Sequence, residues 1–444
     1  MNFQRKLWWA QHKNEVYKYG TILSFVLIVT ISIIYFTYSK FTSTDEVTAY
    51  ETTVEPFIKN DYFIASYVDG VWSDTIPGKD DGYIVDKIVC DNGATATWDD
   101  EEWGINIRNA TKKIKCGVYF KKLVKLTEQI TTLASTDTTN FASDDPDSNI
   151  RYIGADPSNY VYFNCSDYNN QNDSTCEKWR IIGLFNNVVK GDNSKENLVK
   201  IIRNEVIGNY MVDTASWPSS QVMMMLNPSD YIKSEYSISN DVVYDSAGNQ
   251  IFKSMGSYYN GTLGCKPNDS SSCSSVDFTK IGLKNDNTRN AIEEANWYYK
   301  NVSDTTAEAV YNAEKSSGST WIGKISLPYI SDFSYISAGG DEELAPDRKG
   351  CLDSSIFNRR NAYCGGYLYQ NTDYVLLAGL SSIVRNDDFI YKGFTAGHIE
   401  KNQLVYNDSD YSYFRIKPTL YLKSSIFILN GDGSETNPYQ LKLQ

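Results

Sequence analysis

Two histidines, His12 and His398, are all the imidazole that this 444-residue chain offers for acid–base or metal chemistry near neutral pH. His398 stands in FTAGHIEK, where Gly397 and the flanking strand-like runs read as a hairpin turn. No GxSxG elbow or comparable nucleophile accompanies it. The eight cysteines, Cys90, Cys116, Cys165, Cys176, Cys265, Cys273, Cys351 and Cys364, lack the CxxC spacing and histidine partners that zinc wants. Their grouping as four near neighbours along the chain predicts four local disulfides, each worth roughly 2–4 kcal/mol, with no thiol left for catalysis. Carboxylates cluster at Asp99–Glu102, at Asp144, Asp145 and Asp147, and at Asp341, Glu342 and Glu343. A glycosidase needs two of them about 5–9 Å apart. All three clusters fall in polar, turn-like stretches and read as solvated surface. Calcium is the one cation with plausible oxygen-rich loops, Asp408-Ser409-Asp410 and Asn430-Gly431-Asp432-Gly433, though neither completes an EF-hand pattern. The expectation is therefore no catalytic residue, no metal site and no cofactor.

Aromatic residues point elsewhere. The chain carries 34 Tyr, 18 Phe and 9 Trp, 14% of its length. Exposed Tyr and Trp supply rigid contact area with a polar handle, and sugar rings stack on them for the same reason. Tyr258, Tyr259, Tyr298, Tyr299, Tyr411 and Tyr413 lie in polar, loop-rich surroundings and are the candidate binding residues. The competing reading is that a strand-rich fold uses Tyr as a strand former with one face buried. A net charge of −13 offers no footprint for nucleic acid.

These residues must be held by elements the sequence also marks. Residues 19–39 contain no charge and are dense in β-branched and aromatic apolar side chains. At about 1.5 Å per residue they would span roughly 30 Å, the hydrocarbon thickness of a bilayer. Arg5, Lys6, Lys13 and Lys18 precede them against the single acid Glu15, and Lys40, then Asp45 and Glu46, follow. The positive-inside rule then puts residues 1–18 in the cytoplasm and the C-terminal ectodomain outside the cell membrane, with an uncleaved signal-anchor preferred over a signal peptide. Residues 40–58, rich in Thr and Glu, read as a stalk. Short strand-like runs fill 59–126, a small disulfide-bonded β-sandwich-like module in which Cys90 and Cys116 tie two strands. Residues 127–150 are polar and read as a linker. Residues 151–444 form the larger domain: a hairpin pinned by Cys165 and Cys176, the strand NLVKIIRNEVI, a short helix at QVMMMLN, a second helix at NTRNAIEEANWYYKNV, and a closing meander. No regular helix–strand alternation appears, so the class is β-rich α+β.

KWRIIGLF, QVMMMLN, NWYY followed by WIGKISLPYISDFSYIS, and RIKPTLYLKSSIFILNGDGSETNPYQL together resemble a group of membrane-anchored surface proteins of low-GC Gram-positive bacteria. CDNGATATWDDEEWGINIRN resembles a repeated N-terminal module of such proteins. The resemblance implies a C-type-lectin-like C-terminal domain, a fold shared with formylglycine-generating enzymes, and a display scaffold that binds through its loops. It implies no active site. Three functions follow as expectations: an adhesion module for an extracellular glycan or protein, an extracellular glycan or envelope hydrolase using paired carboxylates, or a structural envelope component. Of these, the binding module is the leading one.

Overall fold

A computed structural model describes residues 12–15, 17–30, 62–79, 81–109, 113–211, 217, 220–231, 237–239, 242–244, 250–252, 256–262, 277–299, 306–316, 320–339, 347–354, 364, 366–369, 397–400, 403–406 and 413–443. The chain divides into two compact units, Met1–Asp61 and Tyr62–Gln444. In the first, residues 12–15 and 17–30 are helical, so the helix starts before the expected membrane span. Among the described residues no helix is long and apolar enough to cross a membrane. Residues 31–39 of that span and the stalk at 40–58 lie outside the described residues.

The second unit is mixed α+β and rich in strands. It opens with β1 (Tyr62–Val68), β2 (Val71–Ser73), β3 (Tyr83–Cys90), β4 (Thr95–Asp99), β5 (Gly104–Arg108) and β6 (Ile114–Lys122). The period-2 pattern of β6 decides the architecture: Ile114, Cys116, Val118 and Phe120 are buried, while Lys115, Gly117 and Tyr119 point the other way. Four strands pair in the order β2-β1-β6-β3, with β1 parallel to β6. The β4–β5 hairpin covers the buried face, where Trp98 meets Trp103 and Phe120 edge-on at 5.1 and 5.4 Å. Cys90 and Cys116 sit opposite each other in the β3–β6 register and are bonded.

Residues 127–150 are not a linker. After β7 (Val124–Lys125) comes helix α1 (Leu126–Ala134), then β8 (Phe141–Ala142) and β9 (Ile150–Tyr152). Few apolar residues suffice because they fall where they count. Leu126 and Ile130 share one helix face and are buried in the main core with Phe141. The larger domain therefore begins at α1 rather than at residue 151.

Its main sheet has seven strands. Ile325–Ser326, Thr419–Leu422, β12 (Lys195–Arg203), β11 (Glu177–Val189), β9 and β8 follow in order, and β10 (Tyr160–Phe163) also pairs with β11. β9 crosses β11 at Gly183, where a Cβ would strike the Ile150 carbonyl oxygen. The Cys165–Cys176 bond closes the β10–β11 hairpin, and Cys351–Cys364 is also formed. Cys265 and Cys273 lie outside the described residues.

The helix at QVMMMLN is present as Gln221–Leu226, capped by the Ser220 side chain accepting from Met223 N–H. The second expected helix is half right. Asp286–Ala291 is helical, but Ala295–Tyr298 is a strand paired with Thr320–Gly323. Trp297 explains the switch: it is fully buried and its indole donates to the Gly323 carbonyl at 3.0 Å, a partner a continued helix would not reach. His398 falls inside a strand of a hairpin, Gly397–Glu400 with Gln403–Tyr406, rather than in its turn.

The burial of α1 generates a first prediction. Ile130→Ala should lower the unfolding free energy by about 2–5 kcal/mol, as removal of a fully buried aliphatic chain does. A change under about 0.5 kcal/mol in urea denaturation would return this segment to a linker.

Candidate functional site

The six candidate tyrosines do not form one exposed surface. Tyr258 and Tyr259, on the short helix Ser257–Asn260, are 0% and 9% exposed and belong to the main core. Tyr298 and Tyr299 are half-buried and pack against that core. Tyr413 opens the strand Tyr413–Arg415, which pairs with Asn209–Met211, and Tyr411 lies outside the described residues. The strand-former reading accounts for Tyr298, whereas helix burial accounts for the 258–259 pair.

An exposed aromatic surface does exist, on the small module. Adjacent strands place Phe63 beside Lys115, Ala65 beside Gly117, and Tyr67 beside both Tyr119 and Trp72, all on the outer face of the four-stranded sheet. Small side chains in the middle row make a floor and rings make the walls. The result is an open groove of about 570 Å³ lined by Phe63, Trp72, Val89 and Tyr119, with Asp74, Asp91 and Lys115 on its rim. Phe63 is 59% and Trp72 51% exposed. Tyr67, Trp72 and Tyr119 form a triangle with centroids 5.1–5.3 Å apart, and the Lys87 ammonium lies 4.5 Å from the Tyr119 centroid. Gly117 is there for space: a Cβ would come within 2.8 Å of the Trp72 ring that lies over it.

A second constellation is buried in the larger domain. Asp332, on the short helix Ile330–Tyr335, accepts from Lys200 Nζ at 2.5 Å, from Arg151 Nη1 at 3.0 Å and from the Tyr329 N–H at 2.8 Å. Arg151 Nε reaches on to Asp145 at 2.8 Å. All four charged side chains are at most 1% exposed. Burial alone would disfavour each charge, yet Lys200 and Arg151 hold the Asp332 carboxyl below its usual range, and Asp145 and Asp332 hold the Arg151 guanidinium above its own. Aromatic faces enclose the cations, Phe185 4.5 Å from the Arg151 guanidinium and Tyr329 4.1 Å from Lys200.

Glu314, on helix Ala307–Lys315, lies beside this cluster and accepts from the Ser331 N–H at 3.1 Å. Burial pushes its carboxyl from 4.5 to about 7, with Asp332 adding to the shift. Arg151 and Glu314 line a small cavity of about 40 Å³ together with Asn149, Asn296, Tyr298 and Tyr421. A lone charge inside an apolar strand, Lys200 in NLVKIIR, was the readable signal of this cluster.

The acidic clusters resolve into separate tasks. Asp99 accepts the N–H groups of Glu101 and Glu102 and closes a turn. Asp144 pairs with Arg348 at 2.7 Å, Asp145 with Arg151, and Asp147 accepts from Tyr311 and Lys315. Asp341, Glu342 and Glu343 lie outside the described residues, as do Asp408 and Asp410. Asp432 accepts from the Ser434 N–H at 2.9 Å in a tight turn. Among the described residues no group of three or more His, Cys, Asp or Glu side chains could hold a metal.

Compared with family models, curated proteins and solved structures, the chain finds no match in any of the three.

The raised Glu314 pKa sets a sign for stability. The folded state binds the proton more tightly than the unfolded chain, so stability falls as pH rises from about 4.5 through 7. Glu314→Gln keeps an acceptor for Ser331 but removes the titration. The stability of the variant relative to the parent should therefore rise between pH 5 and pH 8, by roughly 3 kcal/mol if the full shift is expressed. A pH-independent difference in denaturation midpoint would refute the assignment.

Proposed function

We propose that the chain is a membrane-tethered surface protein that binds an extracellular glycan in the groove of its small module. The carrying observation is the outward triangle of Tyr67, Trp72 and Tyr119, with Trp72 half exposed over Gly117. A soluble protein gains nothing by showing water a contiguous set of large rings, and such patches mark interaction sites. The groove also carries Ser73, Asp74, Asp91 and Lys115. Rings that take the C–H face of a sugar, next to carboxylates and hydroxyls that take its hydroxyl groups, fit a saccharide better than a purely apolar partner.

Tethering is supported by the uncharged stretch 19–39 and by the helix at 17–30, whose Ile22, Leu23, Phe25, Val26, Leu27 and Ile28 are all more than half exposed. Apolar side chains on every helix face suit lipid rather than water. The resemblance of the larger domain to C-type-lectin-like domains agrees with display outside the cell. A hydrolase would need a second uncommitted carboxylate near Glu314. Asp145 and Asp332 are both bound to Arg151, which favours the binding reading.

The test uses the full-length chain in detergent on a glycan array, with mass spectrometry of the supernatant for released sugars. Retention is expected, without products. Trp72→Ala should weaken it more than tenfold, the loss of about 2 kcal/mol typical of an anchoring ring. Gly117→Ala, which fills the space under Trp72, should weaken it without unfolding the module. Released fragments would favour the hydrolase, and unchanged retention by both variants would remove the groove as the site.

A further inference from the structure

The small module and the larger domain meet without closing on each other completely. The Phe427 ring lies against Gly82, where a Cβ would come within 2.6 Å of it, and Lys442 Nζ stands 3.8 Å from the Asp100 carboxylate across the joint. Asp100 and Lys442 also line an open cleft of about 650 Å³. Eight of its fourteen lining residues are apolar, and seven of those eight are aliphatic. Ile84, Val85 and Ile88 come from β3, Leu429 and Leu441 from the strands Phe427–Asn430 and Gln440–Lys442, and Leu443 follows the last of these. Parts of a chain that pack together normally close such a gap, because apolar surface gains by leaving water. A cleft of this size, mostly apolar and placed where two parts meet, has the form of a ligand site.

We propose that this cleft binds the hydrocarbon chain of a single-chain amphiphile whose head is uncharged and carries hydroxyl groups. The lining selects the chain. Trp98 is the one indole among seven aliphatic side chains, which leaves little for a sugar ring to stack on. Aliphatic walls take CH2 groups and ask for no hydrogen bond in return. The rim selects the head. Asp100 and Lys442 offset each other's charge, so neither a cation nor an anion finds an unbalanced partner there. Asn169 and Asn287 are exposed in the same lining, and their amides both donate to and accept from a hydroxyl. The cleft is independent of the glycan groove. The two share no lining residue, and the cleft is walled by both parts of the unit rather than by the module alone.

Calorimetry on the full-length chain in lipid nanodiscs, with empty discs subtracted, tests this with a series of 1-alkylglycerols from butyl to dodecyl. Affinity should rise by about fourfold for each added CH2 and then level off once the chain fills the cleft. Decanoate and decylammonium should bind more weakly than decylglycerol. Thr97→Trp, which puts a ring into the cleft from an exposed strand position, and Leu443→Asp, which puts a charge into its lining, should each weaken decylglycerol by about tenfold or more, the worth of roughly two buried CH2 groups. Trp72→Ala should leave this binding intact, so failure of the cleft and failure of the groove are told apart. No binding beyond that of empty discs, or binding that does not depend on chain length, would overturn the proposal. So would equal binding of the charged amphiphiles, or affinity that survives both Thr97→Trp and Leu443→Asp.

Discussion

The Asp332 carboxylate is the constraint around which the larger domain is arranged. It lies on a helix of six residues, too short to be stable alone, yet it binds a lysine from β12 and an arginine from β9. Each ion taken from water into the interior costs several kcal/mol, and only close pairing on all sides offsets that. The alternation Asp145, Arg151, Asp332, Lys200 supplies such pairing for Asp332 and Arg151, while burial still holds the Lys200 ammonium below its usual range. Removing Asp332 would strand the buried Lys200 and leave Arg151 with Asp145 alone, so the short helix, two sheet strands and the loop before β9 share one electrostatic condition. Glu314 shows the other side of the rule. It lies within reach of the same field without a close cation of its own, and it keeps its proton to about pH 7.

The small module follows a different logic. Its sheet is sealed on one face by the β4–β5 hairpin and left open on the other, where Phe63, Trp72 and Tyr119 stand over Ala65 and Gly117. Period-2 alternation sends every second residue of β6 to each side, so one strand builds both a core and a groove. The groove's aromatic walls therefore come from strands, and the turns after β2 and β3 add only Asp74 and Asp91.

Much of this was legible in the residues. The strands of the small module, the Cys90–Cys116 tie, the hairpin at Cys165–Cys176 and the helix at QVMMMLN all appear where alternation, spacing and capping place them. Two elements were misread because composition was weighed above position. The stretch 127–150 is polar on average, but Ile130 and Phe141 fall on the faces that meet the core. Helical spacing of Ile292, Ala295 and Trp297 was outweighed by the pairing of Trp297 with Trp321 across two strands. The site was harder to read. Choosing tyrosines by polar neighbours in sequence picked Tyr258, whose neighbours in space are apolar, and passed over Trp72, which becomes part of a surface only when β1, β2 and β6 lie side by side. Lateral pairing is a long-range property, and local windows do not contain it.

The joint between the two parts of the second unit has a temporal meaning. Val124 and Lys125 pair with Ile428 and Phe427, about 300 residues later, and Tyr160 and Tyr162 exchange backbone hydrogen bonds with Tyr439. These contacts close loops that span nearly the whole unit, the kind of connection that slows folding because so much chain must be ordered first. A nascent chain would carry β7 and the edge of β10 unpaired until residues 427–442 arrive. Until then those open edges are available to pair with other chains, the hazard that chaperones shield against during synthesis.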